Sequence, residues 1–569
     1  MPRSASPFIR SVSRRRFLAG GAVTAVGSAA LIAGCGGGNS KGAASPSGIS
    51  PAASPSEAAS TPQKGGTLRL PTIFASGGNF DVQKFVPAQY TAAVWRTCGN
   101  GLFTIDPKTG NPIPDLVDTW SFPDPLTFVA KLKPGAKWHN KPPVNGRAVT
   151  AADVKFSLER IATNDPAFVR HSDYDLVDRF EAPDDQTVRI VLKQPFVPLV
   201  SALANQQAVI VAPEVIQKFG DLSSADAIIG SGPFILDHAD TTQGGAVKRN
   251  PDYWEKGGPY LDGIQWTIVN DPQTILSGFQ SGKFDMYQVA TIDLPSVKGL
   301  SGVTVAHYLA PNNFLQGLGG PIDKAPLNDI RVRQAINLAI DRKGLGNVVY
   351  PGGDFQPAAV IANPAWGIPS DALLTRPGFR QPKDADLADA KKLVAAAGGN
   401  IELTITTTSS FPSFYLDRAQ AYKAQLEAVG FKVTLDTSDY TSFKSKETNK
   451  RFQVDTLSPA FATDPDSLLS GAFSSSGARN YFSYSSKEFD DYIAKERAES
   501  DPEKRKQIIL EAQELLLKDL PVAGFANWYV YSDLAIRDNV KGVQLGGIGP
   551  SGAQAGDQSF QAKNIWMTS

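Results

Sequence analysis

An α/β fold in more than one lobe is what this sequence predicts, and three observations predict it. Residues 126–132 and 188–192 have the period-2 apolar pattern of strands. Amphipathic stretches with capping residues at their starts alternate with such strands along the chain. Beyond a polar N-terminal region about 500 residues remain, enough to bury two or more cores.

The elements follow in order. Thr67-Leu68-Arg69-Leu70 is the first strand of the folded part. Thr150-Ala151-Ala152-Asp153 is a capping box, with Val149 and Val154 placed as a hydrophobic staple and Val154, Leu158 and Ile161 on one helix face. Residues 330–341 carry Val332, Ala335, Ile336, Ala339 and Ile340, the stripe of an amphipathic helix. A strand at 401–405, a helix stopping at Gly430 and a strand at 432–435 form a unit that implies parallel pairing through a right-handed crossover. Asp501-Pro502 opens a last long helix whose Ile508, Ile509, Ala512, Leu515 and Leu516 face a core. There is no internal repeat.

The N-terminus reads as an address. Ser13-Arg14-Arg15-Arg16-Phe17-Leu18 resembles a twin-arginine export signal, with Arg14 and Arg15 as its pair. An uncharged apolar stretch follows to residue 33, and Ile32-Ala33-Gly34-Cys35 looks like a bacterial lipobox. That resemblance implies a cleaved signal over 1–34 and a diacylated Cys35 as the new N-terminus, outside the cytoplasmic membrane. A transmembrane helix is the alternative, but the stretch is short and Gly/Ala-rich for a stable span. Residues 35–63 are Gly, Ser, Ala and Pro with hardly a large apolar side chain, the composition of a flexible tether.

Charge narrows the partners. The chain balances 56 basic against 56 acidic residues; residues 1–34 hold five arginines and no acid, which leaves 51 against 56 beyond them, a net of −5. A nucleic-acid surface needs a basic stripe and is not expected. There are two cysteines, so an acylated Cys35 leaves Cys98 without a disulfide partner. In Thr97-Cys98-Gly99 a buried small side chain is expected. The four histidines, His139, His171, His238 and His307, are scattered without metal spacing, and no Gly-x-Ser-x-Gly elbow occurs. Neither a metal, a cofactor nor a catalytic residue is expected.

Several motifs then occur in collinear order: Gly65-Gly66-Thr67-Leu68, Gly101-Leu102-Phe103, Pro114-Asp115-Leu116, Leu132-Lys133-Pro134-Gly135, Thr150-Ala151-Ala152-Asp153-Val154, Gly230-Ser231-Gly232-Pro233-Phe234, Arg249-Asn250-Pro251-Asp252-Tyr253-Trp254, Gly282-Lys283-Phe284-Asp285 and Arg331-Val332-Arg333-Gln334-Ala335-Ile336. In these, over residues 64–539, the chain resembles the solute-binding proteins of ATP-driven (ABC) importers, family 5, the group of oligopeptide, dipeptide and nickel receptors. The resemblance implies a two-lobed, periplasmic-binding-protein-like α/β fold of type II (cluster C) with an extra subdomain. Lobe I would comprise 64–105, 225–306 and 522–569, with the subdomain inserted at 106–224; lobe II would be 307–521. The crossings would lie at 306–312 and around Pro521, and hinge closure would trap the solute.

Most of these markers read as structural. Gly230-Ser231-Gly232-Pro233 lacks the Lys and spacing of a phosphate loop and reads as a tight turn. Tyr253 and Trp254 read as packing of a loop, Arg331 and Arg333 as a solvated face or ion pairs, and His139 as a packed residue. One segment stands apart: Phe461-Ala462-Thr463-Asp464-Pro465-Asp466 is the counterpart of the family stretch where an aspartate meets a peptide's amino terminus. The resemblance implies Asp464 for that contact, with Asp466 in reserve and Phe461 as an aromatic wall. A carboxylate in a closed cleft would pair strongly with an ammonium; an Asx turn before Pro465 is the structural alternative. Further lining candidates are Phe74, Asn79, Trp366, Trp528 and Tyr529.

The function implied is a monomeric, lipid-anchored receptor on the extracytoplasmic face of the cell membrane that closes on a short peptide and delivers it to permease subunits. Receptors for a metal chelate, an oligosaccharide or an opine, a sensory receptor signalling to a kinase, and an exported hydrolase remain as alternatives.

Overall fold

The computed structural model describes residues 61–72, 79–84, 89–106, 111–165, 167–168, 170–310, 315–409, 415–456, 464–544 and 559–568. Strand Thr67–Thr72 pairs in parallel with Gly263–Ile268, which continues antiparallel to Gly244–Arg249 and then Phe234–Asp240. Asp285 fastens the first strand: fully buried, it accepts the Arg69 amide at 2.7 Å and Nε at 3.0 Å. A second sheet, Val117–Asp124, Thr127–Leu132, Thr187–Leu192 and Val177–Glu181 in spatial order, is antiparallel throughout. Helix Ala151–Ile161 starts as its sequence predicts. The Asp153 carboxylate accepts the Thr150 amide at 3.0 Å, and Val154, Leu158 and Ile161 are buried.

The glycines of Gly230-Ser231-Gly232 answer a packing demand. A Cβ on Gly230 would lie 2.0 Å from the Cys98 carbonyl oxygen and one on Gly232 would lie 2.6 Å from the Cys98 carbonyl carbon, at the end of helix Gln89–Cys98. The Gly232 amide donates to that carbonyl at 2.9 Å. His139 closes the turn from the other side, accepting the Gly230 amide at Nδ1 (3.3 Å) while Nε2 meets the Gly232 carbonyl at 3.2 Å. Both bonds suit a neutral imidazole protonated at Nε2. Burial pushes its pKa down to about 4. The Cys98 thiol, fully buried, is pushed up to about 12, so it stays protonated.

Beyond residue 315 the chain builds a separate α/β layer. Helix Ile330–Ala339 buries the predicted stripe but stops before residue 341, because the Asp341 side chain accepts the Lys343 amide and starts a new helix, Arg342–Val349. Arg331 is exposed and pairs with Asp329 at 2.6 Å, as expected of a polar face. Arg333 departs from that expectation. It is buried and donates to the carbonyls of Leu327 (2.5 Å) and Asp519 (3.1 Å), satisfying groups left free at chain turns and a helix end. Strand Glu402–Thr408 runs parallel to Lys432–Ser438 around helix Leu416–Glu427, with Gly430 at φ 106°; Val454–Asp455 adds a third parallel strand on the other edge. Helix Pro502–Asp519 is capped by Asp501 and buries Ile509, Ala512, Leu515 and Leu516, while Ile508 is half-buried.

The buried side chains fall into sets that do not mix. One large core draws on residues between Leu68 and Tyr308 and returns at Leu534, Ile536, Val540, Ala562 and Ile565. Two others draw only on residues between Leu315 and Trp528. Two antiparallel strands carry the chain between them, Val303–Ala310 and Asn527–Arg537, in register from Val303 opposite Arg537 to Ala310 opposite Val530. On its other edge the Asn527–Arg537 strand pairs first with Phe355–Ala358, on the side of the second group of cores. It then pairs with Met286–Val289, on the side of the first.

His139 carries a test of this packing. The unfolded chain binds its proton below about pH 6.5 and the folded chain only near pH 4, so stability falls as pH drops through that window, by roughly 3 kcal/mol in all. In His139→Gln, denaturant titrations between pH 7 and 4 should show a visibly shallower loss.

Candidate functional site

The first and second lobes also touch away from the crossing strands, and Asp464 is at the centre of that contact. It caps helix Pro465–Phe473, accepting the Asp466 amide at 2.9 Å, so the Asx-turn reading describes its local geometry. Its two oxygens also take the Arg505 guanidinium at 2.9 and 2.6 Å, and Oδ2 accepts the Ser201 hydroxyl at 3.1 Å. Asp466 takes Arg497 at 2.6 and 3.2 Å. Arg505 Nε donates to Glu496 at 2.9 Å, and its guanidinium lies 5.2 Å from the ring centroid of Trp366.

Asp464, Asp466, Glu496 and Arg505 are buried, and Arg497, Ser201 and Trp366 are half-buried. Burial alone would lower the pKa of Arg505, but Asp464 and Glu496 more than reverse it, so the guanidinium keeps its charge. Glu496 goes the other way. Burial, then the neighbouring Asp466, push its pKa well above the ordinary carboxylate range, against the pull of Arg505. The Asp464 charge is thus met inside the protein by Arg505.

The remaining sequence-derived candidates are placed as follows. Trp366 is half-buried, stacked under Arg505, and its carbonyl accepts Gln513 at 2.8 Å. Trp528 is 0 % exposed: its indole N–H donates to the Arg342 carbonyl at 3.0 Å, inside the second lobe's core, leaving no face for a solute. Tyr529 is buried too, its hydroxyl donating to the Ile368 carbonyl at 3.1 Å. Asn79 is half-buried and accepts the Asp81 amide at 2.8 Å. Phe74, Phe461, Cys35, Arg14 and Arg15 lie outside the described residues. The structure therefore brings Asp464, Asp466 and Trp366 together, through Arg505 and Arg497, and leaves Trp528, Tyr529 and Asn79 elsewhere.

A second polar patch lies at the carboxyl ends of the parallel strands, the edge where open α/β sheets hold ligands. Arg418, fully buried, donates to Gln316 Oε1 and the Thr456 carbonyl, both at 2.9 Å. The Thr407 and Thr456 hydroxyls are 3.2 Å apart, and the Gln316 amide donates to Asn527 Oδ1 at 2.6 Å, which ties the patch to the crossing. Asp455 is fully buried beside it with neither carboxylate oxygen hydrogen-bonded. Burial pushes its pKa up to about 8 against the pull of Lys444 and Arg418. Sequence reasoning missed Arg505, Arg497, Arg418 and Asp455. Two left a signal: Arg505 interrupts the apolar stripe that continues at Ile509, Ala512 and Leu516, and Asp455 interrupts a strand-like apolar run. Among the described residues no group of three or more His, Cys, Asp or Glu is placed to hold a metal, and no helix is long and apolar enough to cross a membrane.

Residues 111–480 match the model of the bacterial extracellular solute-binding proteins, family 5 Middle. The chain belongs to that family. It is a substrate-binding protein of an ABC importer, working outside the cytoplasm. It is 27 % identical over 471 residues to the glutathione-binding protein GsiB of Salmonella typhi, covering 79 % of this chain and 87 % of that one. GsiB of Escherichia coli K12 is 27 % identical over 483 residues, with the same shares covered. Among solved structures, AgaA of A. tumefaciens R10, in complex with agropinic acid, superimposes with a TM-score of 0.71 at 25 % identity, covering 89 % of this chain and 99 % of that one. AppA of Bacillus subtilis shares the fold at a TM-score of 0.71 and 20 % identity, covering 90 % of this chain and all of the other.

Two substitutions separate the roles of these carboxylates. Asp464→Ala leaves Arg505 buried with a single acidic partner and should cost about 3 kcal/mol of stability, read as a lowered urea midpoint without solute. Asp455→Asn should do the reverse. A carboxyl whose folded pKa is raised contributes stability below its unfolded pKa near 3.8 and loses it as pH rises toward 8. The amide should therefore stabilise the protein by roughly 1–3 kcal/mol at pH 7.5 and by little at pH 4.

Proposed function

We propose that this protein captures a short peptide between its two lobes, held to the membrane by lipid on Cys35 and working as a monomer, and hands the intact solute to its permease. The observation that carries this reading is the pair of crossing strands, Val303–Ala310 and Asn527–Arg537, between cores that do not mix. Such an arrangement can bend between the lobes without breaking either core, which is what hinge closure requires. In this reading the lobes divide at 308–315 on the outward pass. The return lies between Trp528 and Leu534, later than Pro521, since Val522, Ala523, Phe525 and Ala526 pack in the second lobe.

A peptide is supported by the relatives named for glutathione, itself a tripeptide, at 27 % identity over most of the chain. Main-chain groups of a peptide suit a site made of fixed donors and acceptors, which binds with little sequence preference. The carboxyl ends of the parallel strands, beside the buried Arg418, Gln316, Thr407 and Thr456, are the edge at which such groups would be offered. Phe461, Phe74 and Asn79 remain candidates for the rest of the lining.

Native mass spectrometry of the chain purified from its own host, followed by solution scattering with reduced glutathione and a panel of di- to pentapeptides, tests the proposal. A co-purified peptide released unaltered, and a smaller radius of gyration on its return, are the expected results. Absence of any retained solute together with no compaction, or release of a hydrolysed product, would count against it.

A further inference from the structure

One contact between the lobes is built from parts that either lobe alone would leave unfinished. Helix Lys487–Ala498 of the second lobe ends with carbonyls that have no partner within the helix. The carbonyl of Arg497 finds one in the first lobe, the amide of Val197, at 2.8 Å. The Arg497 side chain, paired with Asp466, sits 5.5 Å from the ring centroid of Phe196. Phe196 belongs to the first lobe's core. One turn further along, helix Leu199–Leu203 presents Ser201, whose hydroxyl donates to Asp464 at 3.1 Å. A helix-end cap, a cation over an aromatic ring and a charge-assisted hydrogen bond therefore coincide within six residues of the inserted subdomain.

Resting on the two-lobed closure set out above, we infer that Phe196, Val197 and Ser201 are positioning residues for closure. They hold the lobes together through contacts that no solute makes, and so raise apparent solute affinity from outside the binding site. The second lobe's half of the contact is assembled within that lobe. Asp464 and Asp466 are each fixed by an arginine and by the start of helix Pro465–Phe473, so acceptor and cation stand ready before the lobes meet. A bond that exists only in the shut form shifts the open–shut balance by its full strength, and solute affinity shifts with it. This seam is a determinant of affinity that sets no preference among solutes.

Ser201→Ala in the full chain tests it, because it removes only the first lobe's hydroxyl and leaves the Asp464–Arg505 pair intact. With reduced glutathione, or the peptide of the panel above that compacts the parent protein, hydrogen exchange is measured at excess solute and solution scattering at the solute concentration that half-closes the parent. The Val197 amide should exchange about tenfold faster than in the parent protein. The radius of gyration should rise, with the urea midpoint unchanged. Ser201→Thr, which keeps the hydroxyl, should restore parental exchange. Unchanged exchange and size in Ser201→Ala overturn the inference, as does a lowered urea midpoint with no change in either, which would make Ser201 a structural residue of its own lobe. Failure of the receptor reading is distinct: the parent protein then shows no compaction with any solute, whatever Ser201→Ala does.

Discussion

The strand Asn527–Arg537 is the constraint on which the rest of this structure depends, because it must serve two cores at once. Its first residues pair with Phe355–Ala358 and place Trp528 in the second lobe. Its later residues pair with Met286–Val289 and place Leu534 and Ile536 in the first. The Val303–Ala310 strand runs along its other edge across the divide, so backbone hydrogen bonding continues where side-chain packing changes hands. Tyr531 and Ser532 fall between the two successive partners, and a bend there disturbs the least buried apolar surface.

The electrostatics of the seam follow from burial. Carboxylates and guanidiniums taken out of water are costly unless each has a partner, and the pairs Asp464–Arg505 and Asp466–Arg497 meet that requirement. Glu496, the third acid, accepts from Arg505, while burial and the neighbouring Asp466 push its pKa up. What looks in sequence like a charge free to greet an ammonium is committed to holding a helix start and an arginine. Its remaining capacity is directed at Ser201 in the other lobe. Asp455 is the contrasting case, a buried carboxyl with no hydrogen-bond partner, kept neutral by the same desolvation that pairing overcomes elsewhere.

Much of the fold was legible in the sequence wherever a local pattern governs it. The capping box at Thr150, the stripe from Val332, the parallel unit closed by Gly430 and the Asp501-Pro502 start all took the predicted form, because each depends on neighbours within a turn or two. Misjudgements came where a distant partner intervened. Asp341 ends one helix by starting another, Arg333 turns inward to the end of helix Pro502–Asp519, and Trp528 packs against Arg342. The site was less legible for the same reason. Ser201 and Asp464 are 263 residues apart, and Arg418 meets Gln316 over 102.

By itself, then, the sequence determined the class of fold, the family and the elements, since periodicity, caps and collinear motifs are properties of short segments. Tertiary structure alone decided which charges are spent within the protein and which groups face another lobe, since those depend on what burial brings within hydrogen-bonding distance. Asp464 shows the difference. Its Asx turn is written in Asp464-Pro465, whereas its commitment to Arg505 and Ser201 exists only once two lobes have folded and met.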